Sequence, residues 1–457
     1  MGCAGRDRIA VFAAALIAVL AVSRADAVPS FARQTGLQCS ACHSAGFYPE
    51  LNAFGRFFKL HGYLLSAHAD KPYEPYPPLS AAQMWSYTYT NQSQPGLTKE
   101  PTLTFASEGN NNVSYPQQAN FFLAGRFFGP LGGFVLGTYD AVDNKWAFDN
   151  TDIRLTGTRE VGDHNVTFGL TFNNGPSVQD AWNTLPAWSQ YIGSEIAPTP
   201  AASISMSNLS AQVSGIGMFG LLDDLVYAEF TPYVSGKSGF FSFLTLGTPT
   251  EMVTRFAPYW RLVLSKTMAS HYLSLGYVGL FDSVYESGES GPTNNFLDNG
   301  VDLQYQWDSA PQFVTFRSAF IWENQGLSAA QAAGSSAKAS GDLYTFQFWV
   351  SYYRYNLVGL TGSLFNIGGS GNNVVYAPAP VSGSRTGKPT SLGGFVQVNL
   401  IPFSRWFHQM WPALPMTQFA LQYTLYSTFN GASSNYDGYG RNASDNNTLY
   451  FLIWTPW

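Results

Sequence analysis

From residue 80 onward the chain alternates apolar and polar residues with a period of two, and the apolar face of each segment lacks charge. In Val301-Asp302-Leu303-Gln304-Tyr305-Gln306-Trp307-Asp308 one face is Val, Leu, Tyr and Trp and the other Asp, Gln, Gln and Asp. Phe419, Leu421, Tyr423 and Leu425 alternate with Gln418, Ala420, Gln422 and Thr424 in the same way, as do Val314, Phe316, Phe320 and Trp322 with Thr315, Arg317 and Ala319. Successive side chains of a strand point to opposite faces, so this pattern specifies strands with one apolar and one polar side. A soluble β-sandwich alternates too, but it turns the apolar side inward and surrounds it with surface charge.

Charge decides between the two. Asp, Glu, Lys and Arg make up 11% of the 457 residues and aromatics 16%, against about 25% charged in an ordinary soluble domain. Aromatic-rich segments of about ten residues with an uncharged apolar face match the strands of outer-membrane barrels. Beyond residue 27 no stretch approaches the roughly 18 consecutive apolar residues of a spanning helix. The formal net charge of −6 makes nucleic acid an unexpected partner.

Sixteen segments can be counted, near 80–90, 117–128, 130–142, 144–157, 163–172, 208–217, 222–236, 254–265, 270–281, 299–307, 312–322, 342–353, 356–365, 391–403, 416–428 and 446–457. The fold expected is all-β: a transmembrane antiparallel β-barrel of about 16 strands, an even number as in bacterial single-chain barrels. The even-numbered connections from the second to the twelfth are short, whereas the first and most later odd ones are long and rich in Asn, Gly, Ser and Pro. The third is shorter and the fourteenth, with Trp406 and Trp411, longer than that rule allows. Short turns face the periplasm in such barrels, which puts both chain termini there. Asp282, Glu286, Glu289 and Asp298 then give one external loop an acidic cast suited to drawing in cations.

The N-terminal end has another logic. Arg6 and Arg8, an apolar run from Ile9 to Val22 and Ala25-Asp26-Ala27 read as a secretory signal peptide over 1–27. Its removal takes Cys3 and leaves Cys39 and Cys42 as the two cysteines, both within Cys39-Ser40-Ala41-Cys42-His43. A thioredoxin-like pair wants a βαβ context and a zinc half-site wants a second ligand pair; neither follows. The pattern is that of c-type haem attachment, with two thiols to add to one haem and His43 as its proximal iron ligand. Residues 28–79 form a small segment with helical spacing over 51–65 (Leu51, Phe54, Phe58, Leu65). About fifty residues bury a haem poorly by themselves, so this helical and irregular segment is expected to pack as a plug inside the barrel of 80–457. The final Trp457, closing an alternating strand, resembles the signal read by barrel-assembly machinery.

Phe31-Ala32-Arg33-Gln34-Thr35-Gly36 ahead of the haem motif, with Leu51-Asn52-Ala53-Phe54-Gly55-Arg56 and Phe58-Lys59-Leu60-His61-Gly62-Tyr63 behind it, closely resembles the fused monohaem c-type cytochrome-porins of the bacterial outer membrane, which include iron-oxidising cytochromes. The resemblance is specific over about 29–63 and architectural over the barrel. It implies one haem c on a plug in a barrel of about sixteen strands, taking electrons from extracellular Fe(II) or another one-electron donor and passing them to a periplasmic c-type cytochrome or copper protein. An outer-membrane protein surrounded by lipid, acting as a monomer, is the corresponding expectation.

His61, His68 and Met84 are the candidates for the sixth iron ligand. Met84, where plug meets first strand, would give the His/Met pair that raises a haem potential; the alternatives are a bis-His or five-coordinate iron. Arg33, Gln34 and Arg56 are placed to meet haem propionates, or else to bridge plug and wall. His164, His271 and His408 read as lumen or interface residues. No catalytic group beyond the haem is expected. Three functions stay open: an Fe(II)-oxidising conduit, an extracellular reductase of the same build, and a solute porin with a haem plug. A conduit should have its lumen filled by the plug and large polar inner side chains, whereas an open porin should show a long loop folded inward and a charge ring.

Overall fold

The computed structural model describes residues 29–44, 50–71, 74–75, 77–94, 104–107, 109–141, 144–176, 178–185, 193–235, 252–402 and 416–456. Seventeen strands are present among them: β1 (Leu79–Thr90), β2 (Thr104–Ser107), β3 (Asn111–Phe128), β4 (Leu131–Asp140), β5 (Lys145–Val161), β6 (His164–Asn173), β7 (Ser214–Leu222), β8 (Val226–Val234), β9 (Ala257–Met268), β10 (His271–Tyr285), β11 (Thr293–Ser309), β12 (Gln312–Gly326), β13 (Ser340–Arg354), β14 (Val358–Gly369), β15 (Ser391–Leu400), β16 (Gln418–Thr428) and β17 (Thr448–Pro456). All pairings are antiparallel between sequence neighbours except at the seam, where β1 pairs with β3 on one side and β17 on the other. Ala82 opposite Pro456 and Thr90 opposite Thr448 close the sheet. The result is a sixteen-strand barrel, with β2 a short addition beside the outer half of β3. Closure leaves no sheet edge, the condition for a sheet to span lipid.

The wall is inverted relative to a soluble protein. In β11 Val301 is 52% exposed, while its neighbours Asp302, Gln304 and Gln306 are buried in the lumen. Leu170, Met218, Leu264, Leu275, Trp322, Leu360, Val398 and Leu421 repeat the outward apolar pattern around the circumference. An outward apolar band over a polar interior is what a bilayer requires and water penalises. This is an outer-membrane β-barrel. The turns at 129–130, 162–163, 223–225, 269–270, 310–311 and 355–357 share one end with the start of β1 and the end of β17, so both ends of the barrel chain face the periplasm.

Each of the sixteen expected strands exists, with two informative shifts. Expected segments 208–217 and 222–236 become β7 and β8, starting later, because Leu209 and Val213 leave the wall and are buried in an interior cluster with Met206 and Tyr259. The described residues 174–176, 178–185 and 193–213 lie in the lumen and include the short helix α3 (Ser205–Asn208). Secondly, β10 and β11 extend well past the apolar band. Asp282 and Asp298 are therefore not in an external loop, as the sequence suggested, but buried on the lumen wall beside Glu323, where Ser205 Oγ donates to Asp282 at 2.9 Å and Met206 N to Asp298 at 2.8 Å. Only Glu286 and Glu289 of that group remain in the loop. The ladder hydrogen bonds continue whether or not the side chains alternate, so polarity marks the membrane band and not the strand end. The signal segment 1–27, Trp406, Trp411, His408 and Trp457 lie outside the described residues.

Inside the periplasmic half sit two helices, α1 (Pro29–Thr35) and α2 (Ala53–Leu60), with a tight 3₁₀ turn at Cys39–Ala41 between them. Helix α2 is shorter than the 51–65 expected, for local reasons. Asn52 caps its start by accepting from Gly55 N at 2.9 Å. Its end closes with Tyr63 N donating to Phe58 O at 2.9 Å and Gly62 N to Lys59 O at 3.1 Å, with Gly62 at φ +74°, a Schellman closure that requires the left-handed conformation. A further helix, α4 (Ser328–Ala333), lies in an external loop.

Candidate functional site

Cys39-Ser40-Ala41-Cys42-His43 is one compact turn. Cys42 N and His43 N both donate to Cys39 O, at 3.0 and 2.9 Å, so the two thiols and the imidazole leave the same short loop. The loop is stitched to the start of α2: Ser44 N donates to Glu50 O and Asn52 N to Cys42 O, each at 2.9 Å, and Asn52 Nδ2 to Ala41 O at 3.0 Å. Gly55 makes this possible, since a Cβ there would stand 2.2 Å from the Cys42 carbonyl oxygen.

These residues open onto a cavity of about 450 Å³ between plug and wall, within the range of cofactor sites. Cys39, Cys42, His43 and Met84 all line it. Met84 is 1% exposed and faces inward from β1, packed in one cluster with Cys39, Ala82 and Trp454. Phe31, Leu51, Phe58, Phe122, Phe134 and Leu136 give the cavity apolar walls. Phe31, Phe58 and Tyr63 pack against one another with centroids 5.1–5.6 Å apart, and Tyr63 meets Phe134 of β4 at 6.0 Å. Burial lowers the His43 imidazole to about 4, so it is neutral at physiological pH, the form that ligates iron. Burial likewise pushes the Cys42 thiol up to about 11. Two thiols, a neutral imidazole and a thioether converging on one apolar cavity are a donor set that fits a c-type haem.

The other residues singled out from the sequence lie elsewhere. Gln34 donates through Nε2 to Tyr63 O at 2.7 Å and Leu65 O at 2.8 Å and accepts from Arg126 N at 2.7 Å, tying α1 to the plug and to β3. Arg33 donates to the Leu79 carbonyl. Arg56 points to the opposite wall, donating to Gln304 at 3.0 Å and Gln306 at 2.8 Å and stacking 3.6 Å from the Tyr272 ring. Neither Arg33, Gln34 nor Arg56 lines the cavity, and neither do His61 and His68. His164, bonded to Asp223, and His271, stacked on Tyr305, are exposed side chains at the periplasmic end.

Lys59 and Tyr63 do line it and were not anticipated. Lys59 Nζ donates to Val178 O at 2.8 Å and lies 3.8 Å from Asp152; Tyr63 OH donates to Asp152 at 2.7 Å, and Arg154 meets the same carboxylate at 3.1 Å. A lone lysine among Phe57, Phe58 and Leu60 was the available signal. Burial brings its ammonium down to about 8, with Asp152 opposing. Gln118, Asn120, Asp149, Asn183 and Glu195 complete the polar side of the cavity, and nothing local in the sequence marks them.

The lumen holds both features that were to separate conduit from porin. The plug fills it from below, anchored through Arg56, Lys59, Tyr63 and the buried pair Glu50–Arg317 at 3.1 Å. From above, residues 178–185 fold inward: Arg261 pairs with Asp180 at 3.2 Å and, on the wall, with Asp302 at 3.1 Å, Thr184 donates to Asp302 at 2.7 Å, and Arg317 donates to Asn183 O at 2.8 Å. Plug and inward loop meet at Lys59 and Arg317.

Fold and plug position together define the class: an outer-membrane, porin-like β-barrel of sixteen strands with its N-terminal segment inside the lumen. No protein-family model and no curated protein matches the chain. Among solved structures it is similar to the anion-selective porin from Comamonas acidovorans (10% identity, TM-score 0.47, covering 83% of this chain and 98% of that one). It is also similar to Pseudomonas putida OprB (8%, 0.45, 83% and 94%) and to the outer membrane channel DcaP of Acinetobacter baumannii (8%, 0.44, 83% and 96%). Likenesses of this size carry no functional inference.

Proposed function

We propose that the chain is an outer-membrane electron conduit. One haem c, linked to Cys39 and Cys42 and ligated by His43 and Met84, would supply a one-electron couple inside the lumen. The observation that supports this is the convergence of those four side chains, drawn from two separate elements, on a single cavity. The surrounding residues have assignable tasks. Phe31, Phe58, Phe122 and Phe134 line the cavity and exclude water, which keeps the His43 imidazole neutral. Lys59 places a cation beside the cavity, able to meet a carboxylate. The plug and the described residues of the inward loop occupy the lumen, which on this reading leaves electrons as the species that cross. Fe(II) is the donor proposed outside and a periplasmic c-type cytochrome or copper protein the acceptor inside.

The test is direct. Purified protein should stain for covalent haem at the mass of the whole chain, and Cys39→Ala with Cys42→Ala should abolish the stain. Oxidised protein mixed anaerobically with Fe(II) should show haem reduction in the visible spectrum. Haem that stays oxidised with excess Fe(II), yet yields to a stronger reductant, would favour the reductase. The second reading, a solute porin with a haem plug, draws on the inward loop with Arg261 and Arg317 on the facing wall; steady ion conductance of the haem-loaded protein in planar bilayers would favour it.

A further inference from the structure

Among the described residues, the periplasmic face of the plug carries an apolar patch that no other residue covers. On α2, Phe54 is 37% and Phe57 39% exposed, although both belong to a residue class that a small domain buries first. Their rings lie 6.3 Å apart, and Phe57 stacks on His61 with centroids 3.9 Å apart. The same helix also supplies the cavity residues Phe58 and Lys59, so it touches both the cavity and the periplasmic surface.

The rim beside this patch is acidic. His61 Nε2 lies 3.1 Å from Thr167 Oγ1 on β6 and 3.8 Å from Asp224 in the turn between β7 and β8. Asp223 neighbours Asp224 and holds His164 at 2.6 Å. Glu160, exposed at the end of β5, shares that strand's inward face with Asp152, Arg154 and Thr156, whereas Arg159 is on the outward face. Among the described residues, the plug side of the rim therefore includes the carboxylates of Glu160, Asp223 and Asp224, with His164 bonded to Asp223. An apolar centre with a single-sign charged rim is the build of a fast, transient docking surface: the aromatics give contact area and the rim steers the encounter.

We propose that Phe54, Phe57 and His61, with Glu160, Asp223 and Asp224 as rim, dock a periplasmic one-electron carrier whose contact face is basic. This rests on the conduit reading and adds the place and charge of the acceptor. The lysine- or arginine-ringed face of a small c-type cytochrome complements this rim; an acidic carrier would be repelled by it.

The experiment uses the full-length protein in detergent and two probes, a small basic and a small acidic c-type cytochrome, with binding and electron transfer followed separately. The basic probe should bind with an association rate that falls as salt rises. Glu160→Lys with Asp224→Lys should slow that association at least about tenfold at low salt, lose its effect at high salt, and speed the acidic probe. Phe57→Ala, on a side chain already half in water, should raise the dissociation rate several-fold with little salt dependence. Unchanged kinetics of both probes in both variants would overturn the dock. If rim-dependent binding holds but the chemically reduced protein never reduces the bound carrier, the conduit reading falls and the dock stands; if electron transfer is equally fast in every variant, the reverse holds.

Discussion

Breaking the Glu50–Arg317 pair should unlatch the plug. Glu50 belongs to the segment leading into α2 and Arg317 to β12; both side chains are 1% exposed, and Arg317 Nη2 lies 3.1 Å from Glu50 Oε1. The same carboxylate oxygen accepts from Ser351 Oγ at 3.0 Å, and Arg317 Nη1 reaches the inward loop at Asn183 O. Arg317→Met fills similar space but leaves the Glu50 carboxylate buried without its cation, a change that costs about 3–5 kcal/mol. At roughly 1.4 kcal/mol per decade, the undocked plug should become more populated by about two to three and a half orders of magnitude. Because the barrel wall keeps all its ladder bonds, the readout is the lumen: wild-type protein in planar bilayers should be almost silent, and Arg317→Met should show frequent openings of porin size. Glu50→Leu combined with Arg317→Met removes both charges and should restore near-silence, since an apolar pair of similar volume replaces a buried ion pair at little cost. A single variant as quiet as wild type, or a double variant leakier than the single, would refute the reasoning.

Met84→Ala should leave haem covalently bound but alter its visible spectrum and lower its midpoint potential, because a thioether ligand raises the potential; an unchanged spectrum would place the sixth ligand elsewhere. Gly55→Ala would drive a Cβ to 2.2 Å from the Cys42 carbonyl and should cost about 1–3 kcal/mol by overpacking, seen as lower haem content per chain and an earlier thermal transition of the plug. Lys59 is held at about 8 when docked against about 10.4 in water. Below pH 8 it is protonated in both states and its burial penalty is fully present; between these values the undocked state binds more protons, so docking strengthens as pH rises. Lys59→Met should flatten that rise when bilayer leak is followed from pH 7 to 10.

Much of this was legible in the residues themselves. Alternation with an uncharged apolar face located all sixteen wall strands, since a strand that faces lipid on one side and water on the other has no second pattern available to it. Loop lengths gave the orientation, and Cys39, Cys42 and His43 could be singled out and proposed for haem attachment because the pattern they form is local in the chain. Three things needed the folded chain. The inward loop was invisible, because Leu209 and Val213 alternate as well as any wall residue and only the room inside the barrel decides that they leave it. Asp282 and Asp298 looked like loop residues because they lie past the apolar band, yet continued pairing of β10 with β11 carries them along the lumen wall. And which polar groups face the cavity, Lys59, Tyr63, Asp149 and Glu195 in place of Arg33, Gln34 and Arg56, depends on how plug and wall are rotated against each other. That rotation is set by contacts between residues as far apart as Arg56 and Gln306, and no local pattern records it.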